Sequence, residues 1–125
     1  MCFVISHYVS EYVMHQLPAF LAAEKNLRND TCPSITSAVA KMCAALAESN
    51  INLAFSGSTC VFGVHIDKAM YVANIGDSRC VVGRDGDNGS TVITVPLTQD
   101  HKPDSPGEME RILATGGRVC PIPGN

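Results

Sequence analysis

The chain has 125 residues, of which 46% are apolar, and a formal net charge of −3 at pH 7. That length holds one domain, and that much apolar side chain favours a buried core over disorder. The slightly acidic balance excludes a phosphate-backbone binder, which needs a basic face, and no apolar run is long enough to span a bilayer. Neither nucleic acid nor membrane is therefore expected as a partner.

The N-terminus lacks the basic stretch and long apolar run of a secretory signal. The six cysteines, Cys2, Cys32, Cys43, Cys60, Cys80 and Cys120, form no CxxC pair. They are expected to act as small core residues in a reducing cytoplasmic or nuclear setting. A disulfide-stapled secreted module is the alternative.

The first third of the chain is helical in period. Tyr8, Val9, Tyr12, Val13, Leu17, Phe20 and Leu21 fall on one stripe, with Pro18 expected to kink or break it. Asn29-Asp30-Thr31 and Pro33 punctuate. Ile35, Val39, Met42 and Leu46 then recur at steps of four and three, among many alanines, which predicts an amphipathic helix packed closely on a neighbour.

The period shortens after Ser56. Residues 59–66 read as a strand, Asp67-Lys68 as a two-residue turn and residues 69–75 as a second strand. Gly76-Asp77-Ser78 is a tight turn, residues 79–83 a third strand, and residues 91–95 a fourth beyond the turn Asp85-Gly86-Asp87-Asn88-Gly89. This predicts a four-stranded antiparallel meander. Its nearly continuous apolar character predicts burial on both faces.

A last helix is expected after Ser105, where Ser105 and Glu108 have capping-box spacing and Pro106 suits the first helical position. Met109, Ile112 and Leu113 would form its inner face, and Gly116-Gly117 its end. The whole is α+β, with helices layered on one face of the sheet and the other face bare. An uncovered sheet also predicts self-association.

Several motifs have a structural and a chemical reading. Asp85–Gly89 fails as a calcium loop, because Ser90 stands where the required glycine should be, and it reads as a hairpin turn. His7, His15, His65 and His101 show no metal-ligand spacing. Ser56-Gly57-Ser58-Thr59 permits close backbone approach but offers no serine paired with a histidine base. Asp100-His101-Lys102-Pro103 is either a phosphate contact through Lys102 or a turn leading into the helix. Gly76-Asp77-Ser78-Arg79 carries the sharpest signal. Its carboxylate, free to leave the sheet, could take a hard cation such as magnesium or manganese. The alternative is an Asx-type turn, with Arg79 pairing the Asp77 charge.

The order and spacing of these motifs say more than any one of them. The stretch SGSTCVFGVHIDKAMYVANIGDSRCVVGRDG, then LTQDHKP, then EMERILATGGRV, resembles the central part of type 2C, or PPM, serine/threonine phosphatases. HYVSEYVMHQLP resembles that family's first helix. The match runs from Ser56 to Val119.

The resemblance implies that residues 1–125 are a partial PPM-type domain, an incomplete part of an α-β-β-α sandwich in which a meander packs on helices. It implies hydrolysis of phosphoserine and phosphothreonine in proteins, by water activated between two magnesium or manganese ions. A phosphoprotein substrate follows. Asp77 matches a further metal ligand of the family, and no catalytic residue is carried over. The chain departs from the family where DGHGG should stand: Cys2 takes the metal-bridging aspartate position and Val4 the acid histidine position. Two functions are compatible with this pattern. One is a fragment of a metal-dependent phosphatase, inactive as this chain alone; the other is a non-catalytic remnant acting as an interaction module.

Overall fold

A computed structural model describes residues 6–86 and 91–121. In chain order the elements are helices α1 (Ser6–Ala22) and α2 (Thr31–Ala47), strands β1 (Cys60–Ile66), β2 (Ala69–Ile75), β3 (Val81–Asp85) and β4 (Val92–Pro96), and helix α3 (Pro106–Ala114). The chain divides into two compact units between Ala73 and Asn74.

In the first unit, α1 and α2 pack on each other. The fully buried apolar side chains among the described residues all belong to these helices: Val9 and Leu17 on α1, and Ile35, Ala38 and Met42 on α2. The steps from Ile35 to Ala38 to Met42 are the three and four of a helical stripe. Ala38 is wholly covered, and its small side chain allows a close helix approach. Burying Leu17 or Met42 contributes about 1.5–3 kcal/mol each. Pro18 neither breaks nor ends α1, which continues to Ala22. Proline costs one backbone hydrogen bond to the preceding turn, and Leu17 beside it is buried.

Glu24, just after α1, ties the helix connection to α2. Its Oε1 accepts from Ser37 Oγ at 2.9 Å and Lys41 Nζ at 2.6 Å. The Lys41 bond, then the Ser37 bond, hold its carboxyl below the ordinary range. β1 and β2 form a hairpin whose two-residue turn has Asp67 at φ 54°, a left-handed value aspartate tolerates. Arg28 NH1 reaches Asp67 Oδ1 at 3.3 Å, an exposed pair.

In the second unit, β3 and β4 pair antiparallel, with Val81 opposite Pro96 and Asp85 opposite Val92. α3 closes in a Schellman motif: Gly116, at φ 81°, donates its N–H to Leu113 O, and Gly117 donates to Ile112 O at 2.9 Å.

The α+β class and the antiparallel pairing agree with the sequence reading. The single meander does not: the strands form two separate two-stranded sheets, β1-β2 and β3-β4. The segment Gly76–Cys80 turns away from strand geometry, so β3 starts at Val81 rather than at Arg79. Burial on both faces also fails. β1 alternates between half-buried and exposed residues, and every residue of β3 is exposed. Valine-rich sequence favours strand geometry whether or not a second layer covers it.

The inner face of α3 is partial: Met109 and Ile112 are half-buried, whereas Leu113 is exposed. Ser105 is the N-cap but makes no side-chain capping bond. Glu108, its expected capping-box partner, is paired with Arg111 instead. The five described cysteines are not core residues either. Cys32, Cys43 and Cys120 are exposed and Cys60 and Cys80 half-buried, all as free thiols. Residues 87–90, within the expected hairpin turn, lie outside the described residues, as do Cys2 and Val4. No helix among the described residues is long and apolar enough to cross a membrane.

Candidate functional site

β2 runs into the site. At its end Gly76 adopts φ 92°, a left-handed conformation that a side chain would strain. The chain therefore swings out of the strand, and Asp77 is exposed at the turn. Its carboxylate makes no hydrogen bond or ion pair among the described residues. The Asp77–Arg79 pair of the alternative reading does not form.

Arg79 turns instead to the Asp100-His101-Lys102-Pro103 loop. Its Nε and NH2 donate to the two oxygens of Asp100 at 2.9 and 2.8 Å, a fork matching both carboxylate atoms. Lys102 Nζ stands 3.8 Å from the same carboxylate. The Asp100 side chain is 13% exposed, against 59% for Arg79 and 56% for Lys102, so the anion lies beneath and the cations outside. The bond from Arg79, with smaller contributions from the nearby cations, draws the Asp100 carboxyl below its ordinary range. The same bond raises Arg79.

Three further contacts lace the two segments together. His101 N donates to Gly76 O at 3.0 Å, and Cys80 N donates to Thr98 Oγ1 at 2.9 Å. Asn74 Nδ2 donates both to Gly76 O at 3.1 Å and to Gln99 O at 3.0 Å. Two carbonyl acceptors fix which amide atom is the nitrogen. Its Oδ1 is left buried and without a partner. The two motifs thus form one polar clamp around the turn that presents Asp77. Sequence reasoning missed Asn74 and Asp100. Both stand within the quoted motifs, yet no local spacing announces a contact between residues 21 to 25 positions apart.

A magnesium or manganese ion takes about six oxygen ligands. No group of three or more His, Cys, Asp or Glu side chains among the described residues could hold a metal. Asp77 offers one carboxylate, so the described residues do not by themselves make a metal centre. His7 and His15 lie on α1, and His65 is exposed on β1. Ser56–Thr59 precedes β1 as irregular chain rather than opening it.

These motifs, the strand ending in a clamped turn and the helix that follows lie within a stretch that matches one known family. The family model for protein phosphatase 2C matches residues 4–123, and the chain belongs to that family. Among its relatives is probable protein phosphatase 2C 20 of Arabidopsis thaliana, 34% identical across 97% of this chain and 39% of its own length. Probable protein phosphatase 2C 72 of the same plant is 37% identical across 90% of this chain and 37% of its own. Probable protein phosphatase 2C 8 of Oryza sativa subsp. japonica reaches 52% identity, but over 50% of this chain and 14% of its own length. The chain therefore spans about two fifths of the two Arabidopsis relatives.

Proposed function

We propose that residues 1–125 are part of a magnesium- or manganese-dependent domain that hydrolyses phosphoserine and phosphothreonine in proteins. In this reading Asp77 is a metal ligand, and the chain alone has no turnover. The observation that carries it is the Asp77 carboxylate, exposed and without a partner among the described residues, on a turn whose flanks are clamped. A structural turn aspartate would be expected to cap its own backbone or pair with a cation. Lack of turnover follows from the ligand set. One carboxylate leaves most of the coordination to water. Cys2 would offer a soft thiol where a hard oxygen is wanted, and Val4 has no proton to give.

The test is phosphate release from a phosphothreonine peptide with excess manganese. We expect none from the 125-residue chain. A longer chain with aspartate and histidine restored at positions 2 and 4, and with the rest of a relative's domain, is expected to turn over and to lose activity on Asp77→Ala. Manganese-dependent turnover by the short chain, removed by Asp77→Ala, would overturn the claim of inactivity. If the longer chain is inert, the second reading takes its place: a non-catalytic remnant that binds a phosphoprotein. Exposed Val81, Val82, Val92 and Ile93 on β3 and β4 support a tendency to self-associate, readable by sedimentation.

A further inference from the structure

Beside the Arg79–Asp100 fork lies a depression of about 500 Å³, whose lining includes Arg79, Thr98, Asp100, Lys102 and Ser105. We propose that it is an oxyanion subsite, taking a second acidic group of a protein substrate, phosphoryl or carboxylate, away from Asp77. The nature of the carrier rests on the phosphatase reading; the anion site itself rests on the geometry of this chain.

Charge is the first argument. Two cations border the depression against one carboxylate, and that carboxylate is the covered member of the group. An incoming anion therefore meets the guanidinium and the ammonium before it meets Asp100.

Unspent donors are the second. Guanidinium has five N–H donors. Asp100 engages Nε and one hydrogen of NH2, leaving the others to a ligand. Lys102 Nζ, at 3.8 Å from Asp100, is held by charge and not by a hydrogen bond, so its ammonium donors remain available. Thr98 Oγ1 accepts from Cys80 N, which leaves its hydroxyl proton to donate. Ser105 Oγ makes no capping bond. Glu108, on α3, is paired with Arg111.

Preorganisation is the third. The fork with Asp100 holds Arg79 in place, and the clamp ties its backbone to the loop carrying Lys102. Less side-chain freedom is lost on binding than at a loose pair of surface cations.

The experiment is an NMR titration of the isotope-labelled 125-residue chain. The probes are inorganic phosphate, a phosphoserine peptide and the same peptide with glutamate, against chloride at equal ionic strength. We expect saturable shifts at Thr98, Lys102, Ser105 and the Arg79 side chain, with a dissociation constant of about 1–10 mM for phosphate. The phosphopeptide should bind more tightly than the glutamate peptide, and chloride should shift nothing saturably. Lys102→Ala should weaken phosphate at least ~5-fold and Ser105→Ala ~2-fold, through lost charge and a lost hydrogen bond respectively. Lys102→Arg should retain binding. An intact Arg79 Nε–H signal in each variant establishes that the fork has survived. Absence of saturation by about 50 mM phosphate would overturn the proposal. So would equal shifts around Lys25, Lys41 and Arg28, or undiminished affinity in Lys102→Ala. The titration needs no turnover, so its failure is separate from failure of the phosphatase reading, which is scored by phosphate release.

Discussion

The helix pair and the clamp are held together by different physics. α1 and α2 bury Val9, Leu17, Ile35, Ala38 and Met42, whereas no residue of β3, β4 or α3 is fully buried. The second unit is joined by directed polar contacts: the Arg79–Asp100 fork, the double donation from Asn74 and backbone bonds between the turn and the loop. Apolar packing is non-directional and tolerates some repacking. A hydrogen-bonded fork tolerates little, but it positions groups sharply. The region that presents a lone carboxylate is thus the one built from directed contacts.

The largest effect on this contrast should come from the helix pair. Met42→Ala removes a nearly fully covered side chain and should cost about 2–5 kcal/mol, read by urea denaturation followed at the helical signal. A loss under about 0.5 kcal/mol, the range of surface substitutions, would mean that the helix pair is not the stabilising core.

Breaking the clamp comes next. Asp100→Asn removes the charge of the fork and should reduce hydrogen-exchange protection at His101 N and Cys80 N, leaving the helix amides unchanged. Acid should do the same. The folded Asp100 carboxyl is held below its ordinary value by Arg79. Its contribution is therefore fully present above the ordinary carboxylate range and is lost as pH falls through the lowered folded value. Exchange protection of the clamp that survives well below that range would break the assignment.

A smaller effect is expected at the end of α3. Gly116 sits at φ 81°, where a β-carbon costs about 1–2 kcal/mol. Gly116→Ala should lower the thermal midpoint, while Thr115→Ala, at an ordinary backbone conformation, should do so less. The smallest concerns Asp77. It has no partner among the described residues, so Asp77→Asn should change stability by less than about 0.5 kcal/mol. A larger loss would show that the residue serves the fold and would weaken its reading as a metal ligand.

Much of this was legible from residue order. Period three-to-four around Ile35 and Met42 marks α2. Asp67-Lys68 marks the first hairpin, and Gly116-Gly117 the end of α3. Local spacing was a poorer guide where a side chain had a choice of partner. Arg79 stands two residues from Asp77 yet pairs with Asp100, and Glu108 takes Arg111 in place of the cap. Valine-rich β3 and β4 read as buried on both faces, because side-chain chemistry records strand preference and not the presence of a covering layer.

Sequence by itself determined the helical and extended segments, the first hairpin turn, the end of α3 and the family, because period, turn chemistry and motif order are properties of neighbouring residues along the chain. Tertiary structure decided which strands pair and which charges meet. Two hairpins stand in place of one meander, and Asp100 takes the arginine that Asp77 leaves unclaimed. These outcomes depend on distances between residues far apart in the chain, and a pairing of that kind leaves no periodic trace in either segment.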